Sequence, residues 1–182
     1  MLANLKSFIK WKLRGEVPTK QLVKMGLKVG KNFNRLNGCI IDYSHCWLIT
    51  IGDNVTLAPR VHILAHDAST KLHLNYTKIG LVSIGNDVFV GAGTIILPNV
   101  KIGNSVIIGA GSVVTKDIPE NSVAVGNPAK VIDKTNNYLN KNKVVMNSRP
   151  IFDESWTIRG NVNYTQKKEM IDSLKDGLGY VK

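Results

Sequence analysis

IGNDVF (84–89), VGAGTI (90–95), ILPNVK (96–101), IGNSVI (102–107) and IGAGSV (108–113) follow one another without a break and are closed by Val114. Each hexad opens on Ile or Val: Ile84, Val90, Ile96, Ile102, Ile108, and then Val114 itself. Gly is the usual second residue, and the fifth is small or β-branched, as in Val88, Thr94, Val100, Val106 and Ser112. A period of six matches neither an α-helix nor an alternating strand. It matches a chain that turns a corner every six residues, with three short strands closing each triangular coil. First and fifth side chains then fill the interior, while Gly and Asn serve corners where a positive φ is needed. The fold class is all-β, a parallel β-helix.

Working back from this stretch, the same code restarts at Ile51, Leu57 and Ile63 in IGDNVT, LAPRVH and ILAHDA. Twelve residues earlier it puts Cys39 and His45 where aliphatic side chains are expected, so it lapses over Ile41 to Cys46 (IDYSHC). Such a lapse is either a distorted early coil or a place built for polar groups. His66 takes an outward fourth position and Asp67 an inward fifth, which ends the coil. Residues 68–82 break the code and read as a loop that leaves the column after His66 and returns at Ile84. Long loops in compact folds tend to carry function.

Towards the N-terminus, Pro18 opens a short helix, Thr19 to Met25, closed by Gly26. Leu2, Leu5, Phe8, Ile9 and Leu13 form an apolar stripe opposite Lys and Arg. That basic helix either caps the open end of the coils or lies on an anionic membrane surface. Beyond Val114 an irregular last coil ends near Ile132. Residues 134–150 are polar and read as a loose connector with little helix, and a helix is expected from Thr165 to Lys175, stopped by Gly177. The domain organisation is thus a helical cap (1–26), the β-helix (27–132) with a loop at 67–83, and a partly helical extension (133–182).

Twenty-four Lys and Arg against 13 Asp and Glu give a net charge of +11, which favours a polyanionic partner or simply a basic surface. There is no RNP motif, zinc-finger spacing or Arg-rich tract, so nucleic acid is not the expected partner. Cys39 and Cys46 lack zinc-site spacing and read as reduced, partly buried thiols. No signal peptide or transmembrane stretch is visible, which points to a cytoplasmic protein with peripheral membrane contact open through its basic N-terminus.

The hexads, together with ITIGDNVTLAP (49–59), AHD (65–67), IIGAGSVVTKDIP (107–119) and VGNPAKV (125–131), resemble the hexapeptide-repeat acyltransferases. Among these the chain is most similar to the galactoside and maltose O-acetyltransferases and to O-acetyltransferases of bacterial surface polysaccharides. The resemblance covers roughly residues 27–132. It implies a left-handed coil, homotrimers, acetyl-CoA as donor, and active sites in grooves between neighbouring subunits. It also implies Ala92 and Ala110 as coenzyme contacts, with Thr115, Lys116 and Lys130 near the adenosine and phosphates.

Moving an acetyl group from a thioester to a hydroxyl requires a base for the hydroxyl proton. An imidazole, with a reference pKa near ~6.5, suits that task. His66, in the matching AHD motif, is the candidate, and its other ring nitrogen needs an acceptor to set the tautomer. Asp67 is adjacent; Asp42 or a backbone carbonyl are the alternatives. His45, about one coil earlier, either holds acceptor hydroxyls, assists His66, or fills a poor coil position. The glycines at 91–93 and 109–111 recur after eighteen residues and stack into a side-chain-free track, which repeat geometry alone also explains. The expected acceptor is a sugar or surface-glycan precursor, and no metal is expected. N-acetylation of an amino sugar, or acetylation of serine or an antibiotic, would use the same parts. A different class is a γ-carbonic-anhydrase-like lyase, which needs three converging histidines from His45, His62, His66 and His73. A third is a non-enzymatic scaffold on the same coil.

Overall fold

The computed structural model describes residues 16–182, so the amphipathic segment expected at 2–14 lies outside the described residues. The chain divides into two compact units, Met1–Thr135 and Asn136–Lys182.

The first unit is a parallel coil with three faces. One face stacks Lys28–Val29, Ile49–Ile51, Val82–Ile84 and Val100–Ile102. The second stacks Asn34–Arg35, Thr56–Leu57, Phe89–Val90, Ile107–Ile108 and Val123–Val125, and the third stacks Ile40–Ile41, His62–Ile63, Ile95–Ile96 and Val113–Val114. Successive strands move from face to face, so each coil returns to the same face in parallel register: Ile84 beside Ile102, Val90 beside Ile108, Ile96 beside Val114. The first and fifth hexad positions point inward, as the pattern requires. Val90, Ile96, Ile108, Val114, Thr94 and Ser112 are all completely buried. The two hydroxyls among them remain satisfied, because Thr94 and Ser112 both donate to the Gly109 carbonyl.

Two kinds of glycine make the coil. Gly93 has φ +70 at a corner, a left-handed conformation that other residues adopt at a cost. Gly91 serves close approach instead: a Cβ there would stand 2.7 Å from the Gly109 carbonyl carbon in the next coil.

The register also shows where the repeat is stretched. Corners in the regular part recur after 18 residues, those across the first turn of the column after 22, and those spanning the loop after 33. The loop leaves after Ala65 and returns at Val82, two residues before the expected Ile84; Val82 is buried and pairs with both Ile49 and Val100. The loop itself contains a two-stranded antiparallel ladder, His66–Asp67 with Lys78–Ile79, and a short helix, Lys71–Leu74.

The short helix near the N-terminus spans Thr19–Lys24 and drives Leu22 into the core beneath the first coil. At the other end the last coil reverses, and Lys130–Asp133 returns antiparallel along Val123–Val125.

In the second unit, strands Ile151–Phe152 and Tyr180–Val181 pair in parallel. Helix Tyr164–Ser173 begins with a capping box between Asn163 and Gln166. Residues 135–146 form a helix (Thr135–Met146), which corrects the expected loose connector. Its Asn content lowers helix propensity, but propensity is a weak prior, and no Gly or Pro interrupts the chain between Pro128 and Pro150. Among the described residues no helix is long and apolar enough to cross a membrane.

Candidate functional site

The irregular turn after Ile41 supplies one side of the site. Ile41 is packed under Ile63, after which the chain alternates: Asp42 and Cys46 are buried, Tyr43 and Trp47 are exposed, and Ser44 and His45 lie between. A 3-10 turn, Cys46–Leu48, follows and feeds Ile49 back into the core. The thiol of Cys46 anchors this turn by pointing at the carbonyls of Leu22 and Met25, 3.6 and 3.5 Å away. One coil further on, Ala65 is buried where the loop departs, and His66 opens the loop ladder directly above.

The Asp42 side chain is 2% exposed, and its Oδ2 lies 2.5 Å from His66 Nδ1. The same oxygen accepts the Ala65 N–H at 3.1 Å, and Oδ1 accepts the Ser44 N–H at 3.1 Å and the Ser44 hydroxyl at 2.7 Å. Burial alone pushes this carboxyl upward, but the hydrogen bonds from Ser44, His66 and Ala65 outweigh it and hold the group below the usual carboxylate range. An ionised carboxylate only accepts, so His66 must carry a proton on Nδ1, and the neutral ring then presents a bare Nε2 to solvent. The His66 side chain is 36% exposed, open enough to meet a substrate.

Ser44 extends the argument to His45. Its one hydroxyl proton is given to Asp42, so towards His45 Nδ1, 3.0 Å away, its oxygen can only accept. His45 therefore also carries a proton on Nδ1, and in the neutral ring its Nε2 is free. The two imidazole rings lie 5.1 Å apart between centroids, and His45 lies 5.4 Å from the Trp47 indole.

Asp67 does not orient His66, which corrects one of the expected catalytic pairings. Neighbours on a strand point to opposite sides, and Asp67 faces Lys78 across the ladder in a 2.6 Å ion pair. That lysine, together with the Ser69 N–H, lowers the Asp67 pKa to about 2.

Asp42, His45 and His66 also form a set of metal-type ligands, with candidate donor atoms within 4.8 Å of one another. His62 sits on the third face and His73 in the loop helix, and neither belongs to that set. A carboxylate has about four acceptor positions, and Asp42 already receives four donors. The donor set therefore fits a tautomer-setting carboxylate better than a metal ligand.

The coenzyme candidates lie elsewhere on the same coil. Ala92 and Ala110 are exposed at the corner between the second and third faces, with Gly111 N–H donating to the Ala92 carbonyl at 2.8 Å. Nothing lies within 4 Å of where a Cβ on Gly93 or Gly111 would be, so this corner is an open, smooth track. Thr115 and Lys116 follow the third face, and Lys130 opens the returning strand; all three are exposed. His66 also follows the third face, so within one chain it shares no corner with Ala92 and Ala110. A depression of about 600 Å³ on the first face, lined by residues including Lys101, Asp117 and Glu120, contains none of the candidates.

Residues 82–116 match the profile of bacterial transferase hexapeptide (six repeats). The chain is 42% identical over 123 residues to Protein CapG of Staphylococcus aureus, covering 65% of this chain and 72% of that protein. It belongs to the hexapeptide-repeat acyltransferase family. Another member of the family, galactoside O-acetyltransferase of Escherichia coli (strain K12), is 41% identical over 114 residues, covering 60% of this chain and 55% of that one. A solved structure of a galactoside acetyltransferase in complex with coenzyme A superposes with a TM-score of 0.52 at 30% identity, covering 72% of this chain and 79% of that chain. The chain spans about half the length of several of the curated family members it matches.

Ser44 and Trp47 escaped the sequence reading. The available signal was the alternation within DYSHCW, where every second residue is aromatic or imidazole.

Proposed function

We propose that this chain is an acetyl-CoA-dependent O-acetyltransferase in which His66 is the general base. The observation that carries this reading is the Asp42–His66 pair, which leaves Nε2 bare at the edge of a rigid coil. In a ternary complex, Nε2 takes the proton of an acceptor hydroxyl as its oxygen attacks the thioester carbonyl. The C–O bond forms, the C–S bond breaks, and His66 returns the proton to the departing sulfur. Positioned base catalysis of this kind is worth about 10²–10⁴-fold.

The separation of His66 from the Ala92–Ala110 track supports an active site shared by two copies of the chain. In a homotrimer of left-handed coils, the loop corner of one copy meets the smooth corner of the next. Backbone amides along that track hold the pantetheine arm, and Thr115, Lys116 and Lys130 meet the adenosine and phosphates, where lysines act as point charges. The acceptor is a sugar hydroxyl, in keeping with the galactoside-acting relative.

The test is an acceptor screen with acetyl-CoA, following thiol release, with His66→Ala as control. Turnover with hydroxyl acceptors, lowered at least about 10²-fold in the variant while coenzyme binding persists, supports the reading. Near-normal turnover in the variant removes His66 from the mechanism.

A further inference from the structure

The outer surface of the irregular turn is a row of rings that ends on the base. Trp47 is 53% exposed and Tyr43 50% exposed, although the backbone between them is pinned from beneath by the buried Asp42 and Cys46. The root of the indole rests directly on Gly26, where a Cβ would stand 2.8 Å from Trp47 Cβ. A large aromatic held out by a fixed turn is pre-organised, because little freedom remains to be lost when a ligand covers it. From Trp47 the row passes to His45 (5.4 Å) and then to His66 (5.1 Å), with successive rings tilted by 46° and 42°.

We propose that Trp47 and His45 form an acceptor platform that reads the sugar next to the one being acetylated, so the substrate is a glycan of two or more rings. This rests on the O-acetyltransferase reading above and adds to it the acceptor class. Trp47 is the third ring in the row. A hydroxyl delivered to His66 Nε2 belongs to a sugar lying over His45, and the next sugar along lies over the indole. Indole faces stack on the apolar C–H face of a pyranose, and His45, whose Nδ1 proton is committed to Ser44, accepts a hydroxyl hydrogen at Nε2. A ring-free acceptor such as serine gains nothing from this platform. His45 and Trp47 are specificity residues here, and the proton transfer belongs to His66.

The test compares methyl glycosides of single pyranoses with the corresponding di- and trisaccharides, in wild type, Trp47→Ala and Trp47→Phe, with acetyl-CoA saturating. The wild type is expected to favour the longer acceptors. Trp47→Ala is expected to raise KM for these by about three- to tenfold, with kcat and the single-sugar acceptors little changed. Trp47→Phe should restore most of the loss. Equal losses on short and long acceptors, a fall confined to kcat, or a wild type that prefers serine would each overturn the platform. A changed oligomeric mass in Trp47→Ala would assign the indole to a contact between copies and overturn it too. Silence of the wild type with every hydroxyl acceptor would sink the O-acetyltransferase reading itself. Turnover of short and long acceptors alike, with no penalty in Trp47→Ala, would sink only the platform.

Discussion

Between Ile84 and Val114 the coils recur after 18 residues, and each first position is buried against its counterpart above and below. Between Ile41 and Ile63 the interval lengthens to 22, and the surplus emerges as a turn carrying Asp42, Ser44, His45 and Trp47. The two regions share a backbone plan and divide the labour. The regular coils need only a side chain that stacks on its copy, so they tolerate no polar group without a local acceptor. The stretched coil gives up that stacking and gains outward-facing donors and acceptors fixed by buried neighbours.

The contrast can be broken at either end. Truncating the regular column should cost the most. Ile96→Ala removes a completely buried side chain between Ile63 and Val114, and should lower unfolding free energy by about 2–5 kcal/mol in urea titrations. Turnover per folded molecule should stay near wild type; if it collapses while the fold survives, the column does more than support.

In the stretched coil, Asp42→Asn should lower kcat at least about tenfold with coenzyme affinity retained, because an amide no longer enforces the Nδ1–H tautomer of His66. An unchanged kcat would separate the carboxylate from the base. The same variant has a pH signature. The folded-state pKa of Asp42 is lowered, so its stabilising contribution is present above its unfolded value near ~4 and disappears as pH falls through the folded value. The wild type should therefore exceed Asp42→Asn in stability at pH 6, and the difference should shrink below about pH 4.

The smallest effect is expected at the loop ladder. Asp67, with a pKa of about 2, is fully ionised at neutral pH, but its partnership with Lys78 is exposed and screened. Lys78→Met should lower the melting temperature slightly at pH 6, and the difference should fade as pH drops through about 2, where Asp67 takes up its proton in the wild type. A large loss of turnover in Lys78→Met would show that the ladder, rather than Asp42, sets the pose of His66.

The regular half of this architecture was legible because one physical rule, stacking identical positions, prints itself on every sixth residue. The loop exit, expected after His66 and found one residue earlier after Ala65, and the candidate base were legible because they interrupt that rule. The partner of His66 was not fixed by the sequence. Asp67 is its chain neighbour, yet strand alternation turns Asp67 away, and Asp42 reaches it from the coil before. Ser44 and Trp47 were hidden for a similar reason, since their places depend on how a stretched turn is pinned by Cys46 against the carbonyls of Leu22 and Met25. The helix at 135–146 was missed because its Asn-rich composition argues against helix while nothing in it forbids one.

The most direct measurement is ¹⁵N-edited NMR of the imidazoles at neutral pH, assigned with His45 and His66 variants. Neutral His66 should carry its proton on Nδ1 with Nε2 bare, and His45 should match it. A His66 protonated on Nε2 would leave no lone pair facing an acceptor and would contradict the assignment of this histidine as the base.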